Sequence, residues 1–382
     1  MSNEVQGSSS DRQMATAKAA RLVAFYLPQF HPIPENNTWW GPGFTEWTNV
    51  VRAKPLFPDH YQPHLPADLG FYDLRVPETR VAQAEMARNY GIEAFCYWHY
   101  WFAGERLLGR PFDEVLRSGE PHFPFCLAWA NDSWTGVWHG APGRVLKQQT
   151  YPGARDHSTH FTFLATAFAD DRYLKVEGKP VFVIYHPKEL PDSTQVTDLW
   201  RELAHRAGFP GLHLVGVAHA GEMYDPADYG LDALTMSRLG TVRASRIPAR
   251  LKARLLRQTA FARAWKAILG RPVHVYFYED AVKDFVIRQQ LPFEYYPCLI
   301  PNWDNTPRSG PDGLVLHRSS PDLFSNHVEE AIRRVRSLPP QRRIVFVKSW
   351  NEWAEGNHLE PDQRDGKGYL EALHLRFKEG SR

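Results

Sequence analysis

The chain has 382 residues, 43% of them apolar, which is enough for a large buried core. Its 45 Lys and Arg against 43 Asp and Glu leave a net charge of only +2, too small a field to argue nucleic-acid binding. No apolar run approaches the roughly 20 residues of a membrane span, and residues 1–19 have no apolar signal-peptide region, so they read as a disordered lead-in and the expected location is the cytoplasm.

Aromatic residues are abundant, with 13 Trp, 16 Tyr and 22 Phe. Most Phe belong to core packing. The Trp, grouped with His, Asn and acids, suit stacking on sugar rings, whose C–H faces pack on an indole while their hydroxyls need polar partners. Cys96, Cys126 and Cys298 all fall in apolar runs and read as buried thiols, which fits a reducing compartment.

In chain order, Arg21–Leu27 reads as a first strand ended by Pro28. A long irregular segment follows, with Trp39, Trp40, Glu46 and Trp47; its length points to function. Pro77 opens a helix and Gly91 closes it. Further strands are expected at 92–98, 124–129, 180–185, 212–217, 231–237, 296–300 and 344–348, mostly separated by helical patterns. Alternation of this kind implies a parallel sheet. Eight such units, with polar and aromatic residues at nearly every strand end, give a single-domain (β/α)8 barrel over residues 20–378. No Gly-rich phosphate fingerprint follows the first strand, which argues against a dinucleotide fold. A basic stretch, residues 238–272, precedes the seventh strand and holds no Asp or Glu. It reads either as a barrel helix with a solvated basic face or, over 243–271, as an interfacial helix touching anionic lipid.

The most informative stretch is Ile344 to Asp362. An apolar strand ends in Lys348, Ser349, Trp350, Asn351, Glu352, Trp353, Glu355 and His358. Glu352 and Glu355, three apart in a turn, are neighbours, and two carboxyl groups that close do not ionise independently. One short loop thus supplies an acid and a base. Other candidate substrate contacts sit at strand ends: Tyr26 and His31 after the first, Trp98 and His99 on the second, Trp129, Asn131 and Asp132 after the third, and Trp303, Asp304 and Arg308 after the seventh. Glu46 with Trp47 in the long loop, and Trp350, Asn351 and His358 beside the Glu pair, complete the set. No His or Asp shows ligand spacing such as His-Glu-x-x-His, so no metal is expected.

Phe25–Pro32 (FYLPQFHP), Gly43–Asn49 (GFTEWTN), Tyr97–Trp101 (YWHYW), Trp129–Trp134 (WANDSW), Pro301–Arg308 (PNWDNTPR) and Ser349–Gly356 (SWNEWAEG) together resemble the WbsX-like family. That family is labelled glycosyltransferase and is also described as similar to glycoside hydrolase family 99. The resemblance covers about residues 21–375. It implies a (β/α)8 barrel acting on the glycosidic bonds of a bacterial surface polysaccharide or oligosaccharide, without metal or nucleotide cofactor in the hydrolase branch. It also implies that Glu352 is the base that deprotonates the sugar's own 2-hydroxyl, and that Glu355 is the acid, then the base for water, with retention of configuration. Residue reasoning alone separates retaining from inverting chemistry only by carboxyl spacing, about 5–5.5 Å against about 6.5–9.5 Å. A glycosyltransferase of O-antigen or capsule assembly and a non-catalytic glycan-binding barrel are the alternative readings.

Overall fold

The computed structural model describes residues 19–136, 144–219, 222–239 and 274–380. Eight parallel strands form a closed barrel: β1 (Arg21–Tyr26), β2 (Ala94–Phe102), β3 (Phe125–Trp129), β4 (Lys179–Ile184), β5 (His213–Ala218), β6 (Ala233–Met236), β7 (Tyr295–Leu299) and β8 (Ile344–Val347). Each strand pairs with the next, and β1 closes the ring by pairing with β8 (Arg21 opposite Ile344) as well as with β2 (Val23 opposite Ala94). The strands are buried along nearly their whole length, which is why they read in the sequence as continuous apolar runs rather than alternating ones. Phe25 stacks on Trp98 (4.7 Å) and on Phe346 (5.3 Å).

Helices cover the strands. The long segment after β1 holds two short ones, α1 (Pro34–Trp40) and α2 (Glu46–Arg52), where an irregular loop was expected. Thr45 caps α2 reciprocally with Thr48, and this fixes Glu46 in the first helical turn. The outer layer includes α3 (Pro77–Asn89), α4 (Arg110–Ser118), α5 (Ala154–Phe168), α6 (Ser193–Arg206), α7 (Pro321–Val335) and α8 (Gly368–Gly380). Proline at the start of α3, α4 and α7 presets the first turn without wasting a donor.

Strand β2 does not stop at Trp98. It continues to Phe102 and turns back through Ala103 and Gly104, both with positive φ (47° and 92°), into the strand Glu105–Leu107. Positive φ at both loop residues is what a two-residue hairpin of this hand requires. The continuation carries Tyr100 over the barrel mouth. The basic stretch at 243–271 and nearly all of the lead-in fall outside the described residues. No helix among the described residues is long and apolar enough to cross a membrane. Cys96, Cys126 and Cys298 are buried and unpaired.

Candidate active site

The loop after β8 is assembled by hydrogen bonds that extend the barrel wall. Trp350 N donates to Phe25 O (2.8 Å), and the Asn351 amide accepts from Leu27 N (2.7 Å) and donates to Leu27 O (3.1 Å). The chain then makes a small antiparallel pair, Asn351–Glu352 with Asn357–His358, around a tight turn at Trp353–Glu355. Ser349 Oγ accepts from Glu352 N (2.8 Å) and donates to Asn357 O (2.9 Å). The turn ends at Gly356, whose φ of 58° suits glycine; a Cβ there would stand 2.9 Å from Asp304 Cβ. Asp304 N in turn donates to the Glu355 carbonyl (2.6 Å). Behind the turn, buried Glu360 accepts from Trp353 Nε1 (2.7 Å), Tyr72 Oη (2.8 Å) and Gln83 Nε2 (2.6 Å).

This frame presents Glu352 and Glu355 at the floor of a cleft of about 210 Å³ at the C-terminal end of the barrel. The two carboxyl groups share one neighbour, Lys348, and each shifts the other's ionisation. Glu352 accepts from Trp98 Nε1 (2.9 Å), and Glu355 accepts from Arg308 Nη1 (2.7 Å). Arg308 Nε also donates to Glu46 (2.7 Å), so one guanidinium spans two buried carboxylates. Lys348 Nζ stands 4.0 Å from Glu352 and 3.7 Å from Glu355, above the face of Trp303. Two cations therefore face three carboxyl groups, and the set is neutral when it holds one proton. Burial, and then the charge of Glu352, push the Glu355 carboxyl well above the usual range. Burial also opposes the charge of Glu352, but Lys348, the neighbouring Glu355, Arg308 and the Trp98 hydrogen bond outweigh it and hold Glu352 low. The pair thus offers a protonated Glu355 beside an ionised Glu352.

Seven of the expected residues line the cleft: Glu46, Trp98, Asp132, Trp303, Arg308, Glu352 and Glu355. The others do not. Tyr26 donates to Gln83 (2.6 Å) behind the barrel wall. His31 donates to Pro28 O (2.9 Å) and Trp47 to Tyr72 O (2.8 Å), so both pin the first loop. His99 meets His160 (2.9 Å) under α5, on the face of β2 opposite Trp98, and Trp129 donates to Trp101 O (3.2 Å). Asn131 brackets the His186 backbone through Oδ1 (2.8 Å) and Nδ2 (2.9 Å). Asp304 accepts from His60 (2.6 Å) and Gln62 (2.7 Å). Trp350 packs on Phe95 (5.2 Å), Asn351 clamps β1, and His358 stacks on Trp353 (3.8 Å). Lining residues not among the candidates include Gln29, Trp40, Tyr100, Trp134, Tyr185 and Lys348. Tyr100 was detectable from its spacing of two from Trp98, and Lys348 from its place at the end of β8.

The motif profile described as "Glycosyltransferase WbsX" matches residues 22–373. The chain belongs to the WbsX glycosyltransferase family. Two curated relatives, each named uncharacterized protein WxcX and found in two strains of Xanthomonas campestris pv. campestris, are 38% identical over 354 residues, covering 92% of this chain and 49% of theirs. The chain spans about half the length of these relatives. Among solved structures, a family 99 endo-alpha-mannosidase from Bacteroides thetaiotaomicron superposes with a TM-score of 0.56 at 14% identity, over 94% of this chain and 97% of its own. A protein titled glycoside hydrolase-like superposes with a TM-score of 0.56 at 16% identity, over 94% of each chain. At these identities the WbsX chain shares their fold.

Proposed function

We propose that this WbsX-family chain cleaves glycosidic bonds of a bacterial surface polysaccharide, or of an oligosaccharide intermediate, with retention of configuration. The observation that carries the reading is the buried pair Glu352 and Glu355, of unlike protonation, at the floor of a cleft walled by Trp98, Tyr100, Trp134 and Trp303. Carboxyl groups close enough to hold each other's protonation apart favour the short spacing of a retaining pair, about 5–5.5 Å, over the about 6.5–9.5 Å of an inverting one.

In this reading Glu352 accepts the proton of the sugar's 2-hydroxyl. That oxygen attacks the anomeric carbon, and the bond to the leaving oxygen breaks as Glu355 protonates it. Glu355, now ionised, takes a proton from water, which opens the 1,2-anhydro ring while Glu352 returns its proton to the 2-oxygen. Two displacements at one carbon retain its configuration. The general acid and base steps are each worth typically 10²–10⁴-fold. Lys348 and Arg308, both at the cleft, keep Glu352 ionised by their charge.

Transfer to an acceptor hydroxyl in polysaccharide assembly is the second reading, favoured by the name of the family. Water and a sugar hydroxyl are similar nucleophiles, and the residues at the cleft mouth decide which arrives. The test is turnover on α- and β-linked oligosaccharides and aryl glycosides, α-mannosides included, with the first-formed anomer read by NMR beside Glu352→Gln and Glu355→Gln. Release of a retained anomer, lost in both variants, supports hydrolysis. Product only when a nucleotide sugar or lipid-linked acceptor is supplied supports transfer. Ligand binding without turnover in either format removes the enzyme reading.

A further inference from the structure

None of the residues His64, His358 and Asp362 lines the cleft, yet they bring three donor atoms together from two distant segments. His64 Nδ1 faces His358 Nε2 at 3.0 Å, and Asp362 Oδ2 stands 3.9 Å from the same nitrogen. All three atoms lie within 4.8 Å of one another, and all three side chains are buried.

Two of the three donors are oriented by a partner behind them. His358 Nδ1–H donates to the Glu360 carbonyl (2.9 Å), so its Nε2 carries a lone pair directed at His64. Asp362 Oδ1 accepts from the backbone N–H groups of Arg364 (3.0 Å) and Asp365 (2.7 Å), which turns Oδ2 inward. The Arg364 guanidinium is directed onto Asp365 (2.8 Å) and the Tyr61 ring (4.2 Å). A carbonyl behind one imidazole and backbone donors behind a carboxylate are the supports that fix metal ligands. A hydrogen bond between the two imidazoles accounts for their approach, while Asp362 Oδ2 at 3.9 Å lies outside hydrogen-bond reach of His358 Nε2.

We propose that His64, His358 and Asp362 bind a divalent transition-metal ion of the zinc class. Two imidazoles and one carboxylate are a donor set such ions accept. Nitrogens ~2.1 Å from a common ion stand ~3.0 Å apart at a right angle and ~3.4 Å apart at a tetrahedral one, so the imidazoles already have the required spacing. Asp362 closes the third position by a small side-chain rotation, and His64 binds through Nδ1 in the tautomer whose proton sits on Nε2. The ion ties the segment before α3 to the last residue of the hairpin and to Asp362 beyond it. Because His358 stacks on Trp353 at 3.8 Å, it also braces the turn that carries both Glu residues. His64 and His358 are too far apart in sequence for any ligand spacing to be visible.

The experiment is a titration of the full chain, prepared without a metal-binding tag and dialysed against chelator, with Co²⁺ followed by its visible absorption and then displaced by Zn²⁺. The expected result is one equivalent of Co²⁺ per chain and a Tm raised by Zn²⁺ but not by Mg²⁺. His64→Gln and Asp362→Asn, checked for native circular dichroism, each weaken binding at least ~10-fold. Absence of a cobalt spectrum and of any zinc-dependent Tm shift in the wild type overturns the proposal. So does binding unchanged in Asp362→Asn, the variant closest in shape.

Discussion

Glu46 and Glu355 are held by one guanidinium: Arg308 donates to the first through Nε and to the second through Nη1, each at 2.7 Å. Glu46 opens α2 in the first loop of the barrel, and Glu355 lies beyond its last strand. The pair closes the barrel mouth with charge as β1 and β8 close its wall with backbone hydrogen bonds.

Removing Arg308 strands two buried carboxyl groups. Arg308→Met is expected to cost about 3–5 kcal/mol of stability, the usual toll for breaking a buried ion pair from one side. Adding Glu46→Met to it recovers a substantial part, because the uncompensated charge is gone. Urea denaturation of the wild type, the single and the double variant reads this directly. A single variant as stable as the wild type refutes it.

The proposed reaction uses a protonated Glu355 beside an ionised Glu352. The alkaline limb of kcat/KM should therefore follow the raised pKa of Glu355, well above the ~4.3 of a free Glu, and the acid limb the lowered pKa of Glu352. Glu355→Gln removes the alkaline limb and is least damaging on aryl glycosides whose leaving group needs no proton. An alkaline limb that persists in Glu355→Gln assigns the acid elsewhere.

Trp98→Phe deletes the N–H that reaches Glu352 (2.9 Å) while keeping the stack on Phe25. A hydrogen bond to a charged group is worth about 1.5–3 kcal/mol, so kcat should fall about 10–100-fold. The acid limb of the pH profile should move upward at the same time. A fall in kcat with the acid limb unmoved would mean that Trp98 acts on the sugar and not on the base.

Gly356→Ala places a methyl group 2.9 Å from Asp304 Cβ and 3.0 Å from Asp304 N, at a left-handed φ. Strain of this kind costs about 1–3 kcal/mol. Because the clash is with backbone, the turn has to move, and kcat should drop along with the denaturation midpoint. An alanine variant that loses stability but keeps full kcat shows that the turn tolerates displacement.

Glu360 gives a stability signature apart from catalysis. Burial pushes its carboxyl up to about 7, against the pull of donors led by Trp353 and Tyr72. Its folded pKa exceeds the unfolded ~4.3, so the folded state binds the extra proton. Its contribution is full below ~4.3 and is lost as pH rises through about 7. Glu360→Gln should flatten the fall of unfolding free energy across that window, whereas Glu360→Ala leaves buried donors unpaired and costs about 1–3 kcal/mol for each. An unchanged pH slope in Glu360→Gln would place the titration on another group.

The barrel was legible in the sequence because parallel strands covered on both sides must be apolar throughout, and Ile344–Val347 or Phe125–Trp129 have no other reading. The Glu pair was legible because it is local. What the sequence hid were partnerships across the ring. His60 with Asp304, and Tyr72 with Glu360, turn polar residues into fasteners, and nothing near either member marks the other. Likewise the alternation along β2 was visible, but which of Trp98 and His99 faces the cleft depends on α5, whose His160 takes the second.

Asn351 meets Leu27 with one acceptance and one donation, as a neighbouring strand residue would. A side chain thus carries the barrel's register one step past the end of its last strand, and Glu352 follows immediately. Its aim is inherited from the wall and not from the outer loops. A lineage built on this scaffold is free to lengthen, shorten or exchange those loops, and so to change what it acts on, without re-aiming that carboxylate.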